Sequence, residues 1–98
     1  MSWELTNVQH SPHKNKKLVA TFTAPDGHMK NVHFGAKGYD DYTLGASDAK
    51  RQAYWNRHVK DLKVDNPVSP AYLSYYILWG PSKNIKDNIA YYKERFNL

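Results

Sequence analysis

The stretch KLVATFTAPDGHMKNVHF, residues 17–34, leaves the chain few choices of fold. Its first half, Lys17 to Ala24, is dominated by β-branched and aromatic residues. Leu18, Ala20 and Phe22 alternate with Val19, Thr21 and Thr23, a period of two that predicts a strand. Pro25, Asp26 and Gly27 then predict a turn, because proline presets φ and glycine takes φ > 0. HMKNVHF reads as the returning strand, with Lys30, Val32 and Phe34 on one face, and the two runs make a β-hairpin. A lone hairpin is marginal in water, so helices must cover one of its faces. A shorter alternation at Trp3, Leu5 and Val8 predicts an edge strand before it, ended by Pro12 and the polar SPHKNKK.

The helices follow in the second half. Ser47 or Asp48 can cap a helix over DAKRQAYWNRHVKDLK, with Ala49, Ala53 and the Tyr54/Trp55 pair on its buried side. Ser69 as N-cap, Pro70 at the first helical position and Gly80 at the end bound a compact helix, SPAYLSYYILWG. Its apolar and aromatic residues cover more than one face, which predicts a central position. Ser82 is the expected cap of the last helix, KNIKDNIAYYKERF, where Ile85, Ile89, Tyr92 and Phe96 form a single stripe. The expectation is one α+β domain over residues 1–98: a β-hairpin of two or three antiparallel strands packed on about three helices.

A chain of 98 residues buries about 60–65% of its unfolded surface, enough for one modest core. Three Trp, eight Tyr and three Phe must supply much of it. The absence of cysteine excludes disulfides and thiolate metal sites. No apolar run approaches the ~20 residues of a membrane span. The opening MSWELTNVQHSPHK lacks the apolar stretch of a signal peptide, so a soluble protein working or assembled inside a cell is expected. The net charge of +5 favours acidic partners.

Candidate sites are few. Gly35-Ala36-Lys37-Gly38 lacks the long glycine-rich run, the Lys-Ser/Thr ending and the following helix of a phosphate-cradling loop. It follows a strand, so it also lacks the context of a helix-joining clamp on a nucleic-acid backbone. A turn that uses glycine angles is the expectation. Asp40-Asp41 reads as a solvated loop or cap, since adjacent carboxylates point apart and no ligand set accompanies them. His10 and His13 are too few ligands for a tetrahedral site. No cofactor, metal or catalytic residue is assigned, and Ser47, Ser69 and Ser82 are read as caps. The basic set Lys37, Lys50, Arg51, Arg57, His58, Lys60 and Lys63 could contact phosphates, although Arg51 and Lys63 drift off the side shared by 50, 57 and 60. The tyrosines exceed what one small core needs, and such a surplus is typical of protein–protein contacts.

The blocks VHFGAKGYDDYT, RHVKD…NPVSPAYLSYYILWG and IAYYKERF, in that order, resemble a small protein family encoded by large double-stranded DNA viruses of algae and amoebae. The resemblance runs from about Lys17 to Phe96 and implies a viral origin and a small basic domain, with no catalytic residues to carry over. The family pattern has an arginine after the serine of the middle helix, where this chain has Tyr75. A phosphate role at that position therefore does not transfer.

The expected function is that of a non-enzymatic virion structural protein, a minor capsid or cementing component. It would bind other virion proteins through Trp3, Tyr39, Tyr42, Tyr75 and Tyr91, with no small-molecule substrate and no membrane span. The alternative is a nucleic-acid-binding protein that uses the basic set in genome packaging. Either would reside in the virion, and in host cytoplasm or nucleus during assembly.

Overall fold

The computed structural model describes residues 3–64 and 66–98, with side chains at all of these except Lys63 and Val64. Three strands form an antiparallel meander: β1 (Glu4–His10), β2 (Lys16–Thr23) and β3 (Met29–Ala36), in the order β1-β2-β3. The turn between β2 and β3 closes as its residues dictate, with Gly27 at φ 93° and the Ala24 amide donating to the His28 carbonyl at 2.8 Å. Asp26 accepts from the His28 amide and ring, and these bonds hold its carboxyl below the usual range. The predicted edge strand is β1, whose register slips between Leu5 and Asn7. Thr6 at that bulge donates to the Thr21 carbonyl.

Leu18, Ala20 and Phe22 of β2 and Val32 and Phe34 of β3 face the helices and enter the core. Val19 and Thr21 lie on the opposite face of the sheet yet are also buried. Cross-strand neighbours shelter them, Gln9 and His33 beside Val19, Asn7 and Asn31 beside Thr21. Thr21 donates to the Asn31 side chain at 2.9 Å.

Helix α1 (Asp48–His58) starts at Ser47, whose side chain accepts from the Lys50 amide. The expected single helix to residue 63 instead tightens into a 3₁₀ run, Val59–Val64, and the Leu62 carbonyl receives the Tyr72 hydroxyl. The resting face of α1 also differs from expectation. Ala49 and Ala53 are exposed, and Arg51, Tyr54, Trp55 and His58 are half-buried. These four are spaced i, i+3, i+4 and i+7, one helix face. Two large rings outweigh two methyl groups in choosing which side is covered.

Helix α2 (Pro70–Leu73) begins at the Ser69 cap with Pro70 in its first turn. It then widens into a π turn, Ser74–Leu78, in which the Trp79 amide reaches the Ser74 carbonyl at 3.1 Å. Tyr75, Tyr76, Ile77 and Leu78 are all buried. Four consecutive buried side chains need cover on more than one side, and α1, α3 and β3 all touch this turn. The segment is central, as expected, although half of it is not α-helix. Gly80 ends it because a Cβ there would lie 2.1 Å from the Tyr76 carbonyl oxygen and 2.6 Å from Asn88 Cγ.

Helix α3 (Ile85–Phe96) is capped by Asn84, which accepts from the Lys86 and Asp87 amides, and ends at Asn97 with φ 55°. Ser82 is therefore not its cap; its Oγ accepts from the Asn84 amide one step upstream. The stripe Ile85, Ile89, Tyr92 and Phe96 packs on the core as predicted, with Tyr92 fully buried. Tyr92 donates to the Pro67 carbonyl, and burial pushes its phenol above the ordinary tyrosine range.

Candidate functional site

The Gly35–Gly38 segment is a turn. Gly35 and Gly38 take φ 80° and 89°, a region L side chains rarely enter. At Gly35 the space is closed as well, since a Cβ would meet Leu78 Cδ1 at 2.7 Å. The Lys37 amide donates to Asn15 and the Tyr39 amide to Ala36, so the backbone donors at Lys37 and Tyr39 serve the turn itself.

The two aspartates that follow have opposite fates. Asp41 is buried, 1% exposed, and caps a 3₁₀ turn, Tyr42–Leu44. Its Oδ2 accepts from Lys17 Nζ at 2.6 Å, and its Oδ1 accepts from the Thr43 hydroxyl and the Leu44 amide. The cap was expected; a solvated carboxylate was the other expectation, and Asp41 is buried instead. Lys17, on β2, compensates a charge that would otherwise be costly to bury. Asp40 remains exposed and faces Lys50 Nζ at 3.4 Å.

Two cavities open beside this anchored loop and share Lys17, Tyr39, Asp40 and Leu78 in their walls. The first, a cleft of about 590 Å³, has Leu18, Leu78 and Ile85 among its walls, with Lys37, Tyr39 and Leu44 of the loop. Tyr39 and Leu44 are 73% and 66% exposed. The second, a slot of about 390 Å³, lies between the Gly35–Tyr39 turn and α1, with Tyr54, Arg57, His58 and Trp79 in its walls. Tyr54 is stacked between His58, centroids 4.1 Å apart, and Trp79, 4.5 Å apart. Burial pushes the Tyr54 phenol up to about 12.

Of the five rings expected at a protein interface, Tyr39 stands at these cavities. Tyr91 is exposed on α3. Trp3 is half-buried near the last residues of the chain. Tyr42 donates to Asp48 at 2.6 Å, a bond that raises its phenol, and its ring has Arg51 and Lys83 beside it. Tyr75 is a correction. It is 6% exposed and stacked on Trp55 at 4.8 Å, so it is a core ring and offers no contact surface.

Part of the basic set is committed to partners within the fold. Arg51 is committed to the fold: its Nε donates to the Gly80 carbonyl at 2.6 Å, and its guanidinium lies 3.8 Å from the Trp55 ring centre. Lys50 is paired with Asp40, and His58 is held by Asp61 at 2.9 Å. Lys37, Arg57 and Lys60 are exposed. The Lys63 side chain lies outside the described residues. Among the described residues, no three His, Asp or Glu gather as metal ligands, and no helix is long and apolar enough to cross a membrane.

Three polar arrangements were not anticipated. Lys17–Asp41 is one. The second is Ser11, 8% exposed, whose hydroxyl lies 2.7 Å from His33 Nδ1 while it accepts from the His13 amide; the His13 ring meets His33 edge-on at 4.8 Å. The Ser11 hydroxyl thus holds the β1–β2 loop closed over β3. The third is Asn88, fully buried on α3.

A family model described as "Family of unknown function (DUF5754)" matches residues 6–58, from β1 through the loop and α1. "Uncharacterized protein L851" of Acanthamoeba polyphaga mimivirus is 41% identical over 78 residues, covering 74% of this chain and 78% of that protein. No solved structure matches the chain. The chain belongs to the DUF5754 family, and its mimivirus relative bears out the kinship with proteins of giant viruses that its residue blocks implied.

Proposed function

We propose that this protein is a non-enzymatic structural component of a large DNA virus particle, a minor capsid or cementing protein. It seats an apolar side chain of a neighbouring virion protein in the cleft beside the Lys37–Leu44 loop. The observation that carries this reading is the exposure of Tyr39 and Leu44 on a cleft walled by Leu18, Leu78 and Ile85. Large side chains beside a pocket are how protein interfaces anchor, and covering one such side chain is worth about 1.5–3 kcal/mol. The loop is rigid enough for the task, because Asp41 ties it to β2 through Lys17 and to its own 3₁₀ turn. Tyr91 and Trp3 add contacts away from the cleft. The role needs no cofactor, metal or small-molecule substrate, and it places the protein in the virion and, before assembly, in the infected cell.

The test is incorporation. Particles purified from cells that supply only the Leu44→Asp chain contain several-fold less of it than wild-type particles, while the isolated variant melts at the wild-type temperature. Absence of the wild-type chain from purified particles, or equal incorporation of the variant, refutes the reading.

A further inference from the structure

We infer that the slot between the Gly35–Tyr39 turn and α1 is a binding site for single-stranded nucleic acid, in which a base lies against the rings and a backbone phosphate meets Arg57. The slot, at about 390 Å³, is in the size range of small-ligand pockets. In its wall, Trp79, Tyr54 and His58 form a column of stacked rings, with Tyr54 and Trp79 only 8° from parallel. Tyr54 has both faces covered, so a base joins the rings at the outer face of an end of their column. Tyr39, 73% exposed, lines the same slot, where an exposed ring can cover a base. Stacking of this kind is tolerant of sequence, because every base has a π-face.

The charges select the anion. Lys17 in this slot is neutralised by Asp41, Asp40 by Lys50, and His58 is held by Asp61. Arg57 lines the slot and makes no ion pair among the described residues. It is the cation left over, with the exposed Lys60 three residues on and a net charge of +5 behind it. Arginine on phosphate makes a charge-assisted, fork-shaped contact. A duplex keeps its bases stacked inside and could use the cations but not the rings. An acidic protein surface would likewise use Arg57 and leave Tyr39 idle.

The experiment titrates the full chain into a fluorescein-labelled oligo(dT) strand of about 15 nucleotides and into a duplex of the same length, followed by anisotropy. The strand binds at least about tenfold tighter than the duplex, and its affinity falls by an order of magnitude or more between about 50 and 200 mM salt. Tyr39→Ala and Arg57→Ala, both at exposed positions, each weaken strand binding about tenfold. Leu44→Asp, in the other cleft, leaves it unchanged, so this result stands apart from particle incorporation. Equal binding of strand and duplex, indifference to Tyr39→Ala, or displacement of the strand by an acidic peptide at equal concentration would each overturn the inference.

Discussion

Replacing Asn88 by alanine removes the polar latch between α3 and the end of the π turn. Asn88 is fully buried. Its Nδ2 donates to the Ile77 carbonyl at 2.8 Å and the Ser82 carbonyl at 2.7 Å, and its Oδ1 accepts from the Ser82 amide at 2.9 Å. The Ile77 bond is wholly buried, so stranding that carbonyl costs about 1–3 kcal/mol. Ser82 is half-buried, where water can replace the lost partner, and its two bonds are worth about 0.5–1 kcal/mol each. The expected loss is about 3 kcal/mol, a fall in melting temperature of about 12–24 °C for a domain of this size. Urea unfolding read from tryptophan emission should show the midpoint reduced by about 1–3 M with an unchanged slope. Asn88→Asp sharpens the test. An ionised carboxylate there would face two carbonyl oxygens, so its folded pKa rises above the unfolded value of about 3.9. The variant therefore approaches wild-type stability below about pH 4 and loses it as pH rises through the raised folded pKa. A shift under about 0.5 kcal/mol for alanine, or a pH-independent deficit for aspartate, refutes the latch.

Tyr75→Ala should destabilise the fold by about 3–5 kcal/mol, since it empties a buried ring site against Trp55; urea midpoints check this, and a near-neutral result would restore Tyr75 to the surface. Lys17→Met leaves the Asp41 carboxylate buried without its cation and should cost about 3 kcal/mol, while the double variant Lys17→Met/Asp41→Asn recovers part of the loss; no recovery would mean that the pair does not act as a unit. Tyr54 supplies an alkaline limit. Its folded pKa of about 12 lies above the unfolded value of about 10, so its contribution is complete below about pH 10 and is lost as pH rises toward 12. Ultraviolet titration of wild type against Tyr54→Phe should show one late phenolate missing in the variant, and superimposable curves refute the assignment.

The parts of the fold that could be read in advance are those set by near neighbours in sequence. The alternation over residues 17–24, the Pro-Asp-Gly turn and the Ile85–Phe96 stripe each declare themselves within a dozen residues. The failures have a common form. Ser82 and Asn84 both carry cap chemistry, and only the path of the chain after Gly80 decides which one takes the helix amides. Ala49 and Ala53 share a side with residues that could have been covered, but the covered side is set by where Tyr54 and Trp55 find Tyr75 and Trp79. The π turn is likewise a product of what surrounds residues 75–78, and local propensity carries no sign of it.

The candidate sites were legible only where composition speaks. Surplus tyrosine and surplus positive charge pointed to adhesion, and Tyr39, Arg57 and Lys60 do stand exposed. Which rings and cations were free could not be read, because the groups that occupy the others come from far along the chain. Arg51 is claimed by Gly80, 29 positions away, Trp55 donates to Trp79, 24 away, and Lys17 is claimed by Asp41, also 24 away. Each of these pairings removes a residue from the surface inventory and fixes the position of another. Arg51 and Trp55 together tie α1 to the backbone at Trp79 and Gly80, and that tie sets α1 beside the end of the π turn. Tyr54, on the same helix, then stacks on Trp79, and His58 one turn later completes the column. The aromatic wall of the slot is thus a consequence of long-range pairings made for stability, and beside it Arg57, without an ion pair, and Tyr39, without a ring contact, among the described residues, are those with freedom to meet a partner.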